Sequence, residues 1–331
     1  MKAENFLLAL ILLAAVGSPA QLGAQATSTS SGQAYPAKTV RVIVPFPPGG
    51  GTDVQARVIV KEFQDQLGQN FIIDNRGGAG GLIGAELVVN SPADGYTVLY
   101  TTATLAINTT LYGDRMKFHP LKHLVPISFV STTPLVLIVH PSVPAKTAKE
   151  MIQLARNKPG FLNAAINVAG STSHLSAEMF KQLAGLKFTT VPYKGGGLSM
   201  VAVMGGEVDF QFAEGLLAAP QLKAGKVRAL AVSTPDPSPF FPELPTMTSL
   251  LPGFVSDNWF AMYFPAGTPG TIVATMNATV KKALATETVR GFAKREVLTL
   301  VGSTPEELGA FLRSEIARYG EVIRKGNITI Q

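Results

Sequence analysis

No cysteine occurs among the 331 residues. That absence excludes a lipid-anchored cysteine, a thiol nucleophile, a thiolate metal site and any disulfide. The fold must be held by its core, and about 300 residues suffice for that, in two lobes rather than one. Charge is also sparse: charged residues make up 15% and hydrophobic residues 46% of the chain, proportions compatible with a globular protein. Lys and Arg are scattered and form no run of five or more, so neither nucleic acid nor a polybasic membrane contact is expected. The formal net charge of +6 creates a mild field that favours anionic ligands weakly. No repeat of fixed period is visible, which argues against a solenoid.

Long apolar runs are missing too. The most apolar stretch, Phe6–Val16, is FLLALILLAAV, short of the roughly 20 residues that cross a bilayer as a helix. Lys2 precedes it, and Ala24-Gln25-Ala26 follows as a small-residue cleavage pattern. The expectation is a signal peptide over 1–26, a disordered polar linker over 27–34 (TSTSSGQA), and export to the periplasm.

Along the remaining chain, short β-rich runs alternate with amphipathic segments. Strands are expected at Val40–Val44, Phe71–Asp74, Tyr96–Thr101, Leu135–Val139, Asn163–Ile166, Thr189–Val191, Val208–Phe212 and Arg228–Val232. Helices are expected at Val54–Leu67, with Val54, Val58, Phe63 and Leu67 near one face, and at Leu82–Val89. Ser303-Thr304-Pro305-Glu306-Glu307 reads as a strong helix start for Pro305–Arg324. This alternation implies an α/β fold with mainly parallel sheets flanked by helices.

The glycines carry the functional signal. RVIVPFPPGGGTD places Gly49, Gly50 and Gly51 after a buried strand and before a helix, followed by Thr52 and Asp53. Three glycines exceed what a turn needs. They let backbone approach a ligand closely, and the amides and dipole of the helix start favour negative charge. Asp53 works against that, because a carboxylate in the first turn competes for the same amides. It caps the helix or orients a water instead. A second such loop runs Asn75-Arg76-Gly77-Gly78-Ala79-Gly80-Gly81. A G-x-G-x-x-G frame starting at Gly78 reaches Ile83 where glycine is required, and no Gly-Lys-Ser/Thr follows, so neither nucleotide motif is present. A third loop is Gly170-Ser171-Thr172-Ser173-His174, where the hydroxyls also suit ordinary helix caps. A fourth is Val191-Pro192-Tyr193-Lys194-Gly195-Gly196-Gly197. Four such ends shared between two lobes point to a ligand cleft at the carboxyl ends of the strands.

The segments YPAKTVRVIVPFPPGGGTD, LGQNFIIDNRGGAGGLIGAE, ADGYTVLY, PYKGGG, VMGGEVDF, LKAGKVRALAVST and FPAGTP together resemble the Bug receptors. These are the periplasmic solute-binding proteins of tripartite tricarboxylate transporters. The resemblance covers Tyr35 to Gly326. It implies a type II periplasmic-binding-protein fold whose two lobes close on a small organic acid: a di- or tricarboxylate, an acidic amino acid or an aromatic acid. It implies that backbone amides and ordered waters of the loops Pro47–Asp53 and Gly78–Gly81 hold a carboxylate, with Gly170–His174 as the second-lobe hydroxyl loop. The expected ligand-binding set is Pro47, Gly49, Gly50, Gly51, Thr52, Asp53, Ala79, Gly80, Gly81, Thr102, Gly170, Ser171, Thr172, His174, Lys194 and Glu214. Lobe 1 is expected over 35–138 with 260–331, and lobe 2 over 139–259. No cofactor, metal or catalytic group is expected. The partners implied are the ligand and the membrane components of such a transporter, with the receptor itself monomeric.

The chain departs from the family in places. The segment Lys117-Phe118-His119-Pro120 replaces a usual Tyr-Asp-Pro, and His123 stands where Asp is common. Glu214 puts an acid near a strand end. Facing the pocket, it would favour an amine-bearing or hydroxylated ligand over a plain dicarboxylate. The rival expectation is an exported hydrolase-like enzyme using the same cleft, but Ser171 and Ser173 lack a G-x-S-x-G elbow.

Overall fold

A computed structural model describes residues 35–329. The expected signal peptide and linker lie outside the described residues. The first third of the structure runs β1 (Val40–Val44), α1 (Gly51–Leu67), β2 (Phe71–Asn75), α2 (Leu82–Val89), β3 (Thr97–Thr102), α3 (Thr104–Leu111), the single turn α4 (Pro120–His123) and β4 (Leu124–Val139). The middle runs α5 (Ala148–Asn157), β5 (Asn163–Ile166), α6 (Thr172–Ala184), β6 (Thr189–Pro192), α7 (Gly196–Met204), β7 (Phe210–Glu214), α8 (Gly215–Lys223), β8 (Arg228–Val232) and α9 (Met247–Leu250). It closes with β9 (Asp257–Pro265), α10 (Gly270–Leu284), α11 (Glu287–Arg295), β10 (Thr299–Leu300) and α12 (Pro305–Lys325).

The strands follow the order β2-β1-β3-β9-β4-β7-β5-β6, with β10 and β8 also paired to β4. Strand β4 joins two sheets. Its residues Leu124–Pro134 pair antiparallel with β9, whereas Leu135–Val139 pair antiparallel with β7. Away from that seam the pairs β1–β2, β1–β3, β5–β6 and β5–β7 are parallel. Each parallel strand therefore ends beside a helix start, and these ends face one another across the two sheets.

Of β4, only Leu135–Val139 is legible as an uninterrupted apolar run; the strand itself is 16 residues long. Pro126 lies at one of two register shifts against β9, and Pro134 lies where the partners change. Proline lacks the ladder donor and masks a strand in sequence. In α1 the buried face is Ala56, Ile59, Val60 and Phe63. Of the expected Val54–Val58–Phe63–Leu67 face, Phe63 is buried and Val58 and Leu67 pack half-buried against the same core, but Val54 is left 41% exposed. The helix starts at Gly51, and its i, i+3, i+4, i+7 stripe turns toward the sheet. Helix α12 begins as the sequence suggests: Thr304 Oγ1 accepts from the Glu307 amide at 3.2 Å and Glu307 Oε2 accepts from the Thr304 amide at 2.8 Å, a reciprocal capping box. This helix packs on both α3 and α6, so it spans the two sheets.

Three cores result. One holds the first sheet against α1, α10 and α11, with Phe63, Phe260, Met276 and Val280 fully enclosed. A second lies between the second sheet and α7 and α8, around Val136, Ile138 and Val203. The third runs through both sheets under α12 and includes Leu137, Phe180, Trp259 and Tyr319. Each fully buried large apolar side chain contributes about 1.5–3 kcal/mol, which is how the protein holds together without disulfides.

Candidate functional site

After β1 the chain has two consecutive prolines and then Gly49, whose φ of +79° excludes most side chains without strain. The Gly49 amide donates to Asp53 Oδ2 at 2.9 Å. Asp53 is 2% exposed and also accepts from Arg57 Nε at 2.9 Å and from Asn75 Nδ2 at 3.0 Å. Asn75 donates to the Phe46 carbonyl at 3.0 Å as well. Asp53 therefore ties the β1–α1 loop to the end of β2 from behind. Burial pushes its carboxyl up, but the bonds from Arg57, Gly49 and Asn75 outweigh that and hold it below the ordinary range.

This carries a test. A carboxyl with a depressed folded pKa contributes stability that is present above its unfolded value, about pH 4, and lost as pH falls through the folded value. Asp53→Asn is expected to lose roughly 1.5–3 kcal/mol at neutral pH. The melting curves of variant and parent should converge on acidification; a constant gap down to acid pH would show that the charge is irrelevant.

No side chain caps α1, whose N-cap is Gly50 with φ −75° and ψ 163°. Two further uncapped helices start opposite: α7, from Gly195, and α8, whose N-cap is Glu214. All three starts line one cavity of about 610 Å³. Its first-lobe wall includes Pro47, Gly49, Gly50, Gly51 and Thr52, and its second-lobe wall Asn167, Val168, Lys194, Gly195–Gly197, Glu214 and Leu216. The lobes approach closely here. A Cβ built on Gly51 would lie 3.5 Å from Leu216 Cδ2 and 3.9 Å from Glu214 Oε2. Burial pushes the Glu214 carboxyl above its ordinary value, opposed by one hydrogen bond from Asn258 Nδ2 at 3.3 Å. Amides and dipoles at three helix starts make this cavity suited to an anion.

The other sequence-named residues gather elsewhere. Ala79–Gly81 form a single turn, and the Gly80 carbonyl accepts from Asn108 Nδ2 at 2.9 Å. Thr102 Oγ1 lies 3.1 Å from Thr104 Oγ1. A Cβ on Gly170 would meet Leu111 Cδ2 at 2.6 Å. These groups surround α3, not the cavity lining. Ser171 caps α6, accepting from the His174 amide at 3.3 Å, and His174 Nδ1 accepts from the Gly170 amide at 3.1 Å. Thr172 is buried, and its carbonyl accepts from Ser176 Oγ at 2.7 Å. Burial lowers the His174 pKa against the pull of Glu178. Ser171 Oγ is thus spent on its own helix, whereas Ser173 Oγ is buried with no hydrogen-bond partner among the described residues. His123 Nδ1 accepts from the His119 amide at 2.9 Å across the α4 turn.

Sequence reasoning missed Phe46, Val54, Gln55, Phe260, Phe292, Glu296 and Leu298 on the cavity wall. Apolar wall residues carry the same signature as core residues. Gln55 is fixed by Tyr100 and by Ser131 Oγ, to which its amide donates at 2.7 Å. Glu296, just past α11, had no local signal.

Two lobes with helix starts facing across a cleft suit the binding of a small solute. The chain belongs to a family of receptors: residues 55–328 match the family described as "Tripartite tricarboxylate transporter family receptor". It is 37% identical over 298 residues to Protein BugT of Bordetella pertussis, covering 89% of this chain and 91% of that protein. It is similar to the solved structure of R. palustris Rpa4515 with adipate, with TM-score 0.81, 33% identity, and 89% and 99% of the two chains covered. It is also similar to MatC from Rhodopseudomonas palustris with bound malate, with TM-score 0.78, 31% identity, and coverage of 87% and 100%. The family comprises solute-binding receptors, not enzymes.

Proposed function

We propose that this protein is a periplasmic receptor that binds a small organic carboxylate in the cavity and delivers it to a tripartite tricarboxylate-type membrane transporter. The observation that carries this reading is the meeting of three uncapped helix starts, from both lobes, at one cavity. Lys194, exposed on the same wall, adds a positive charge. The adipate and malate bound to the two relatives support a dicarboxylic or related acid as the ligand class. Within the site, Pro47, Gly49, Gly50, Gly51, Thr52, Lys194 and Glu214 are proposed to face the ligand. Asp53, Ala79, Gly80, Gly81, Thr102, Gly170, Ser171, Thr172 and His174 are proposed to shape the loops around it. The proposed lobes are 35–138 with the chain from 260 onward, and 139–259. The change of partner along β4 at Pro134–Leu135 supports a passage close to those bounds.

A thermal-shift screen of mono-, di- and tricarboxylic and aromatic acids tests the reading. A ligand that binds only the folded form at a hundredfold excess over its Kd adds about 2.7 kcal/mol of stability. The amide or methyl ester of the acid that binds is expected to bind about ten- to a hundredfold more weakly, since a charge-assisted hydrogen-bond set is worth roughly 1.5–3 kcal/mol. Equal affinity for acid and amide would remove the helix starts from recognition.

A further inference from the structure

Lys194, Glu214 and Glu296 are the ionisable residues on the cavity wall, so its charges are one cation against two carboxylates. Much of the rest is apolar, including Phe46, Val168, Leu216 and Phe260. That balance is odd for a site whose helix starts and lysine attract an anion. From it we propose that the ligand carries an amine as well as a carboxylate, and that Glu214, assisted by Glu296, receives the amine. This inference rests on the carboxylate reading above and narrows it.

Three observations support it. Glu214 Oε1 accepts from Asn258, while Oε2 has no hydrogen-bond partner among the described residues and lies 3.9 Å from the position a Cβ would take on Gly51. Oε2 thus faces across the cleft toward the start of α1. Neither Glu214 nor Glu296 forms an ion pair among the described residues, although nine Lys or Arg pairs with carboxylates form elsewhere. Burial disfavours the Glu214 charge, and a partly buried carboxylate left unpaired is costly unless something brings it a partner. An ammonium group does so and donates the missing hydrogen bonds. A plain dicarboxylate would instead set its second carboxylate against like charges. With the ligand carboxylate offsetting Lys194 and the amine offsetting Glu214, each aminated acid leaves the filled cavity one charge closer to neutral than its unaminated counterpart.

The test pairs each acid with an amino counterpart: succinate with aspartate, glutarate with glutamate, pentanoate with 5-aminopentanoate, benzoate with 4-aminomethylbenzoate. Titration calorimetry on the full mature chain compares the parent, Glu214→Gln and Glu296→Gln, with a melting curve for each variant to confirm folding. The aminated member of the binding pair is expected to bind at least tenfold more tightly, and Glu214→Gln to abolish that preference. Glu296→Gln should reduce it less and provides an independent variant should Glu214→Gln fold poorly. Binding confined to unaminated acids, or an amine preference that survives both variants, overturns the inference and leaves the receptor reading in place. Silence from every acid, aminated or not, removes the carboxylate reading itself and this inference with it.

Discussion

Replacing Gly50 with alanine is expected to weaken ligand binding at least tenfold, about 1.4 kcal/mol, while leaving the melting temperature of the free protein unchanged. The backbone at Gly50 has φ −75° and ψ 163°, a conformation any L-residue adopts without strain. The one atom near an added Cβ is the Pro47 carbonyl oxygen, at 3.5 Å, an ordinary contact. Restricting the unfolded chain would even favour alanine slightly. Fold and function therefore separate at this residue: the methyl group costs the fold nothing and is added to a residue on the cavity wall. Gly49 provides the contrast. Its φ of +79° means that alanine there should cost about 1 kcal/mol of stability whatever the ligand does. Melting without ligand and calorimetric affinity, measured on both variants, decide the matter. Undiminished affinity in Gly50→Ala would mean that the three glycines only turn the chain, and the carboxylate site would then move toward the loops around α3.

The second large effect lies behind the cleft. Glu315 on α12 is 5% exposed. It accepts from Trp259 Nε1 of β9 at 2.9 Å and from Arg318 Nε and Nη2 at 2.9 and 2.6 Å. Arg318 also donates to the Val255 carbonyl, just before β9 begins. Close by, Thr132 Oγ1 donates to Asp257 Oδ2 at 2.5 Å. This network fastens α12 to the strands that pass from one sheet to the other. Glu315→Leu keeps the volume but leaves the guanidinium largely buried without its counter-ion and the indole N–H without its acceptor. Breaking a buried pair from one side costs roughly 3–5 kcal/mol, and the residual exposure of Arg318 places this case near 3. Glu315→Gln, which can still accept from Trp259, should cost less. Urea midpoints for the two variants check this; an unchanged midpoint in Glu315→Leu would mean that the network adds nothing net to folding.

The fold was legible where elements are local. Val40–Val44, Leu82–Val89, Asn163–Ile166 and Arg228–Val232 coincide with their strands and helix, because breakers and glycines delimit each run. What stayed hidden is the seam. Asp257–Pro265 holds Trp259, Phe260, Tyr263 and Phe264 fully or almost fully buried, yet its apolar run is as compatible with a helix as with a strand. Its partner β4 is interrupted by Pro126 and Pro134. Both are strands because they pair with each other, and that pairing spans more than a hundred residues of sequence. The site divides in the same way. The Pro47–Asp53 loop announces itself through glycines, and PYKGGG does likewise. Phe260, Phe292 and Glu296 reach the cavity through tertiary packing, of which a single sequence carries no trace. The sequence marks Asp53 as a competitor with an anionic ligand for the α1 amides, and its bonds from Gly49, Arg57 and Asn75 show what the carboxylate holds instead.

The pairing of β4 with β9 also sets an order of assembly. Strands β5 to β8 lie between them in the chain, so most of the second sheet is complete in sequence before β9 has been made. The first sheet is begun by the earliest strands but cannot close until Asp257–Pro265 slides between β3 and β4. Contacts so far apart in sequence form late, because the loop must close before they repay it. The half of the molecule that starts first therefore finishes last, and the cleft takes shape only when the final quarter of the chain arrives.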